Sequence, residues 1–319
     1  MITEQFNIEI PTNMVGYRLD KALAELFPAY SRAKLQQWNQ DGLVLVNNIQ
    51  MRGKNKLKGG EQILLTTKLE TEVAWQPQPL ELNLVYEDAD LLVVNKPAGL
   101  VVHPGTGNQN NTLVNALLHY APELNQLPRA GIIHRLDKDT SGILVVARSL
   151  TAHTSLVKQL QKREFVRKYQ AVISGVMVAG GRIDAPIGRH HRHRIRMAVT
   201  ESGKEAVTHY RVMQRYRNHT LIRVQLETGR THQIRVHMTY KNYPLVGDSV
   251  YGGRLRLPPK CSEEFKTMLR KFPRQALHAE QLGFIHPNSG EFMQWTVPLP
   301  TDMQNLIEAL EQDMKTKVI

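Results

Sequence analysis

Between Tyr17 and Phe27, the apolar residues Leu19, Ala22, Leu23 and Leu26 recur at helical spacing, which predicts an amphipathic helix closed by Pro28. Ser31 reads as the N-cap of a second helix that runs through Leu35 and Trp38 and stops at Gly42. Residues 43–48 read as a strand entering a turn, Gly59-Gly60 as another turn, and 62–65 as a short strand. Two helices followed by short strands over 16–65 make a compact unit near the lower size limit for independent folding. Residues 66–80 have little periodicity, and Pro77 and Pro79 favour an extended connection. The expected division is therefore 1–75 and 76–319.

Beyond residue 80 the pattern changes. Residues 91–94 form an apolar strand leading into Asn95-Lys96-Pro97, and 143–147 form a second apolar strand. Residues 112–120 read as a short helix, and Ser149 as the cap of a helix reaching Gln161. Residues 168–174, 206–214 and 220–227 alternate as half-exposed strands, while 231–240 and 304–314 read as helical. Many strands without a regular strand–helix–strand alternation predict an α+β fold on a mixed, mostly antiparallel sheet.

Composition narrows the class. Hydrophobic residues make up 41% and charged residues 22% of 319 positions, which suits a folded globular chain. No apolar run approaches the roughly 20 residues of a membrane span. The first residues carry acids and no basic leader, so a cytosolic protein is expected. The lone Cys261 provides neither an intrachain disulfide nor a thiolate-zinc cluster. The net charge is +12, and its distribution is uneven. Residues 130–240 hold 20 basic and 7 acidic residues, a net of 20 − 7 = +13, while the remainder of the chain nearly balances. A one-signed field confined to one segment attracts a polyanion.

Several familiar motifs are absent: no glycine-rich GxxxxGK[ST] phosphate loop, no HExxH and no GxSxG occurs. His190, His191 and His193 lie among Arg189, Arg192, Arg194 and Arg196, whose charge opposes a metal dication, so no metal site is expected. A basic loop touching phosphates is the better reading. The segment HRLDKDTSG (134–142) places Asp137 and Asp139 inside the most basic stretch, where phosphates would repel them. An acid kept there is either a cap or salt-bridge partner or a working carboxylate. A second constellation, LETGRTHQIRVHM (226–238), has Gly229 opening an expected helix whose amides face an anion.

HRLDKDTSG (134–142), GRTHQIRVHM (229–238) and NKPAGLVVHP (95–104) together resemble the pseudouridine synthases of the large-subunit rRNA group, the RluA family. Residues 16–65, with YRLDKALAELFPAYSRAKLQQW and GLVLVNN, resemble the S4 RNA-binding domain. The likeness spans about residues 10–300. It implies an S4-like domain over 1–75, a synthase domain over 76–319, and isomerisation of uridines in large-subunit (23S) rRNA within a ribosome or assembling subunit. It also implies a monomer, no membrane and no cofactor, since uridine and pseudouridine share one composition. By the resemblance Asp137 is the catalytic carboxylate, Arg235 its partner, Tyr169 the ring that packs on a flipped uracil, and Arg135 the residue that fills the vacated stack. RNA contacts are expected from Arg230, Arg189, Arg192, Arg194 and Arg196, and from Arg32, Lys34, Arg52 and Lys54 in the first unit. Two rival readings are a non-enzymatic ribosome-assembly factor, for which Asp137 would be dispensable, and an RNA methyltransferase, for which no convincing cofactor loop exists.

Overall fold

The computed structural model describes residues 2–315 apart from 28–29, 31, 70–74, 106, 194–195, 256 and 259–260. The expected cap Ser31, the helix stop Pro28 and Arg194 lie outside the described residues. The chain divides into two compact units, Met1–Ala74 and Trp75–Ile319.

The first unit contains β1 (Ile2–Glu9), α1 (Leu19–Leu26), α2 (Arg32–Gln40), β2 (Val44–Val46) and β3 (Gln62–Leu69). Its sheet has the order β1-β3-β2, with both pairings antiparallel. Leu19, Ala22 and Leu23 of α1, Leu35 and Trp38 of α2, and Val44, Val46, Ile63 and Leu65 of the strands form one core. The helical spacing read from the sequence is thus the spacing of the buried face. β1 has no counterpart in that reading. Its residues 3–5 are all polar, so the segment lacks an apolar run, and it forms because β3 offers an open edge along its whole length.

The second unit runs β4 (Leu84–Glu87), β5 (Leu91–Lys96), α3 (Leu113–Tyr120), β6 (Ser141–Ala147), α4 (Leu150–Gln161), β7 (Val166–Ser174), β8 (Gly181–Asp184), β9 (Ile187–Arg189), β10 (Met197–Val199), β11 (Val207–Arg215), β12 (His219–Leu226), α5 (Gln233–Tyr240), α6 (Glu263–Lys271), β13 (Leu277–Ile285), β14 (Phe292–Thr296) and α7 (Thr301–Lys315). Nine strands form one sheet, in the order β4-β5-β6-β13-β7-β12-β11-β8, with β14 on β13. Its pairings are antiparallel except β13 with β6, as a mixed, mostly antiparallel sheet requires. The helix starts follow local chemistry. Thr112 and Asn115 cap α3 reciprocally, and Ser149 accepts the Ala152 amide at the start of α4.

The central strand β13 went unread in the sequence. His278, Glu280 and Gln281 interrupt its apolar pattern, and side chains of neighbouring strands bond all three, Gln281 through Thr296 of β14 at 3.1 Å. Ser141 Oγ lies 2.9 Å from His278 Nδ1, and Gln170 Nε2 donates to Glu280 at 2.7 Å. Where β6 meets β13, a Cβ on Gly142 would sit 2.2 Å from the Ala279 carbonyl oxygen, and its φ is +118°. Only glycine allows this crossing, which joins the end of the 134–142 motif to the sheet's centre.

Candidate active site

The strands β7 and β12, the loop before β6 and the loop before α5 surround a cavity of about 470 Å³. Asp137, Tyr169, Arg235, Arg135 and Arg230 all line it, so the fold gathers five of the residues read from sequence. Two carboxylates in the wall, Asp137 and Glu227, face six arginines at 129, 135, 163, 167, 230 and 235. The field inside therefore favours an anionic strand at the mouth.

Among the described residues one oxygen of Asp137 is hydrogen-bonded. Arg235 Nη1 donates to its Oδ2 at 3.0 Å, and its side chain is 19% exposed. The same guanidinium grips Asp248, with Nε to Oδ2 at 2.7 Å and Nη2 to Oδ1 at 3.0 Å. Asp248 Oδ1 also accepts the Val250 and Tyr251 amides. Burial pushes the Asp248 carboxyl up, but Arg235 and these amides outweigh it and hold the pKa below the ordinary range. Arg235 is the converse case: burial opposes its charge, while Asp248 and Asp137 together raise its pKa. The arginine is thus fixed by one buried acid and presented to a second, more exposed one.

His232 approaches the other Asp137 oxygen, with Nε2 3.9 Å from Oδ1. It sits at the start of α5 with φ 57°, a left-handed conformation that turns its ring back toward the cavity. Tyr251 Oη accepts the Met197 amide at 2.9 Å and lies 2.7 Å from His232 Nδ1. Burial lowers the His232 pKa, and Asp137 opposes that shift. The preceding loop is pinned by buried Gln233, which accepts from Thr228 Oγ1 and the Arg230 amide and donates to Val207 O. Here the structure corrects the sequence reading. Helix α5 begins at Gln233, not at Gly229, because this side-chain network replaces a first turn.

The 134–142 motif is likewise clamped from beneath. Lys96 is fully buried, and its ammonium donates to Pro97 O, Leu100 O and Lys138 O at 2.8–2.9 Å. Burial drives its pKa down to about 7, against the pull of Asp139 and Asp137. His134 Nε2 accepts the Val145 amide, and burial lowers its pKa to about 3, so it is a neutral strut. Arg274 donates to Asp139 O at 3.0 Å and holds Asp302 with Nε and Nη2. Thr140 N bonds back to Asp137 O, so the chain turns between the two acids. In an extended segment Asp137 and Asp139 would share a side; with this turn only Asp137 lines the cavity.

The remaining residues lie elsewhere. Arg189 ends β9, and Arg192 and Arg196 are exposed in the loop before β10; none lines the cavity. Within the first unit Arg32 is exposed, Lys34 lies 5.3 Å over the Trp38 ring, and Arg52 and Lys54 line a hollow of about 620 Å³. Asp88, Asp90 and His286 are close enough to suggest a metal site. However, His286 Nδ1 accepts the Ser289 amide while Nε2 meets Asp88 Oδ2 at 2.9 Å, so the nitrogen facing the acid carries a proton. Several site residues went unread: Arg167, His232, Gln233, Lys96 and Asp248, although RKYQ, GRTHQIR, NKP and GDSVYGG mark their positions in the sequence, and Arg274, which no local pattern marks.

Comparison with known proteins identifies the family. Residues 90–240 match the RNA pseudouridylate synthase family and 18–63 the S4 domain. The chain is 52% identical to ribosomal large subunit pseudouridine synthase D of Haemophilus ducreyi, over 98% of this chain and 97% of that protein. The chain belongs to the RNA pseudouridylate synthase family. The synthase D of Escherichia coli K12 is 53% identical, over 98% and 96% of the two chains, and that of Pseudomonas aeruginosa 52%, over 97% of each. Among solved structures, human RNA pseudouridylate synthase domain containing 4 superposes with a TM-score of 0.58 at 27% identity, covering 72% of this chain and 93% of its own. As a family member the chain is an RNA-modifying isomerase, which displaces the assembly-factor and methyltransferase readings. Among the described residues no helix is long and apolar enough to cross a membrane.

Proposed function

We propose that this chain converts uridines of large-subunit (23S) ribosomal RNA into pseudouridine, with Asp137 as the catalytic carboxylate. The observation that carries the reading is Asp137 in the wall of an arginine-lined cavity, hydrogen-bonded by Arg235 on one oxygen and with His232 3.9 Å from the other. A base in a helix is out of reach of such a wall, so the target uridine must flip out at a cost of about a few kcal/mol. Exposed Arg135 stands at the mouth to occupy the vacated stack, and Tyr169, 7% exposed, offers a ring inside for the uracil. Stacking of a base on an aromatic ring contributes about 1–3 kcal/mol, which offsets the flip.

The reaction breaks C1′–N1 and C5–H and forms C1′–C5 and N1–H, so nothing is added or removed. Arg235 orients the Asp137 carboxylate in a sheltered site, where it acts on the electron-poor C1′ or as a nucleophile. The first unit supplies Arg32, Lys34, Arg52 and Lys54 for rRNA recruitment, and the 189–196 loop adds phosphate contacts. The test is Asp137→Asn, which keeps shape and removes the charge. It should abolish tritium release from rRNA labelled at uridine C5 while RNA binding persists. Release at the wild-type rate would overturn the assignment, and mapping pseudouridines in large-subunit rRNA from a deletion strain would identify the targets.

A further inference from the structure

Arg167 is a buried cation without an acid. It lies on β7 two residues before Tyr169, so the two side chains share one face of the strand. The residue is 5% exposed and lines the cavity. Arg163 pairs with Glu205 and Glu227, and Arg235 with Asp137 and Asp248, whereas among the described residues Arg167 has no carboxylate within 4.0 Å. Its Nη2 donates to Glu227 O at 2.9 Å. Its Nε is buried with no acceptor. A Cβ on residue 229 would sit 2.9 Å from Nη1, so Gly229 leaves that nitrogen uncovered. Burial lowers the Arg167 pKa, with Arg230 adding to the effect and Tyr169 opposing it. A buried unpaired charge is costly to maintain. A partner that arrives with the substrate offsets that cost.

We propose that Arg167 receives the negative charge that develops on the uracil ring, by donating to one of its carbonyl oxygens. The inference rests on the pseudouridine synthase reading above. When C1′–N1 breaks, the electron pair stays with uracil and spreads from N1 into O2 and O4, while C1′ is left electron-poor facing Asp137. Arg167 keeps its own protons throughout. The charge on the ring is discharged when C5 bonds to C1′, the C5 proton leaves and N1 gains one. Depth selects the base over the backbone as the partner. Arg167 and Tyr169 lie together inside the cavity, whereas the phosphates of a flipped nucleotide stay at the mouth with exposed Arg135.

The experiment is single-turnover conversion at saturating RNA, using a mapped rRNA fragment with one target uridine. Wild type, Arg167→Lys and Arg167→Gln are each given four substrates: unmodified, 2-thiouridine at the target, 4-thiouridine at the target, and methylphosphonate beside it. Loss of one preorganised donor typically costs about 100-fold or more in rate. Arg167→Gln should slow unmodified RNA by about that factor, with Arg167→Lys slowed less. Sulfur is a weak acceptor, so one thio substrate should slow the wild type and shrink the gap between wild type and either variant. Additive losses on both thio substrates would overturn the proposal as a merely structural role. A gap that shrinks only on the methylphosphonate would overturn it in favour of phosphate binding. If Arg167→Gln does not fold, the wild-type and Arg167→Lys pair gives the same comparison. Failure of wild type on unmodified RNA would bring down the underlying synthase reading instead.

Discussion

Replacing Arg235 by alanine separates stability from catalysis at this site. The arginine has two clients with different exposure: the Asp248 side chain is 1% exposed and the Asp137 side chain 19%. Losing the partner of a fully buried acid typically costs about 3–5 kcal/mol, while a part-exposed acid regains water and loses far less. Asp248 should therefore carry nearly all the destabilisation of Arg235→Ala. In a unit of this size each kcal/mol lowers Tm by roughly 2–4 °C, which predicts a drop of roughly 6–20 °C. Adding Asp248→Asn removes the orphaned charge while an oxygen still accepts the Val250 and Tyr251 amides, so the double variant should recover several degrees. It should not recover turnover, because Asp137 still lacks its partner. The pH dependence has a definite sign. In the wild type the folded Asp248 pKa is depressed, so its contribution is present above the unfolded value and is lost as pH falls through the folded one. In Arg235→Ala burial instead raises the Asp248 pKa, so protonation relieves the penalty and the gap to wild type narrows on acidification. Thermal melts from pH 4 to 8, with tritium release at pH 7, test all three statements. A wild-type Tm for Arg235→Ala, or a double variant no more stable than the single, would refute the reasoning.

Lys96→Met should lower Tm, because three part-buried carbonyls lose their donor, at most about 1–3 kcal/mol each. Since the folded Lys96 pKa is pushed down to about 7, the unfolded chain holds an extra proton between there and the ordinary lysine value, and wild-type stability rises with pH across that window. The Lys96→Met deficit in melts should accordingly widen from pH 7 to 10; a constant deficit counts against a depressed pKa. Asp139→Asn should retain measurable tritium release, since Arg274 binds the backbone carbonyl of residue 139 rather than its side chain; complete loss would move the essential carboxylate. Neutralising Arg189, Arg192 and Arg196 together should flatten the plot of log affinity against log salt by about 0.7–0.9 for each phosphate no longer neutralised, and an unchanged slope by filter binding removes the loop from the RNA footprint.

Local chemistry along the chain was enough to place most of the elements that frame the site. Helices α3 and α4 are visible because their apolar spacing and the cap at Ser149 are local, and β5 and β6 because fully buried strands read as unbroken apolar runs. The same locality exposed Asp137: an acid amid basic residues is anomalous in any fold. What depends on distant partners was not legible. β13 is a central strand only because Ser141, Gln170 and Thr296 meet its polar positions from β6, β7 and β14. Asp137 differs from Asp139 only because Thr140 closes a turn between them and Arg274 holds it from 135 residues away. Lys96 and Asp248 are ordinary charged residues in the sequence, and their roles arise from the low dielectric that the packed sheet and α5 create around them. Periodicity, caps and charge clusters are written in neighbouring residues, so the sequence alone determined which segments fold and where a carboxylate is out of place. Burial and pairing are sums over the whole fold, so only the tertiary structure decided which acid faces the cavity and what holds it there.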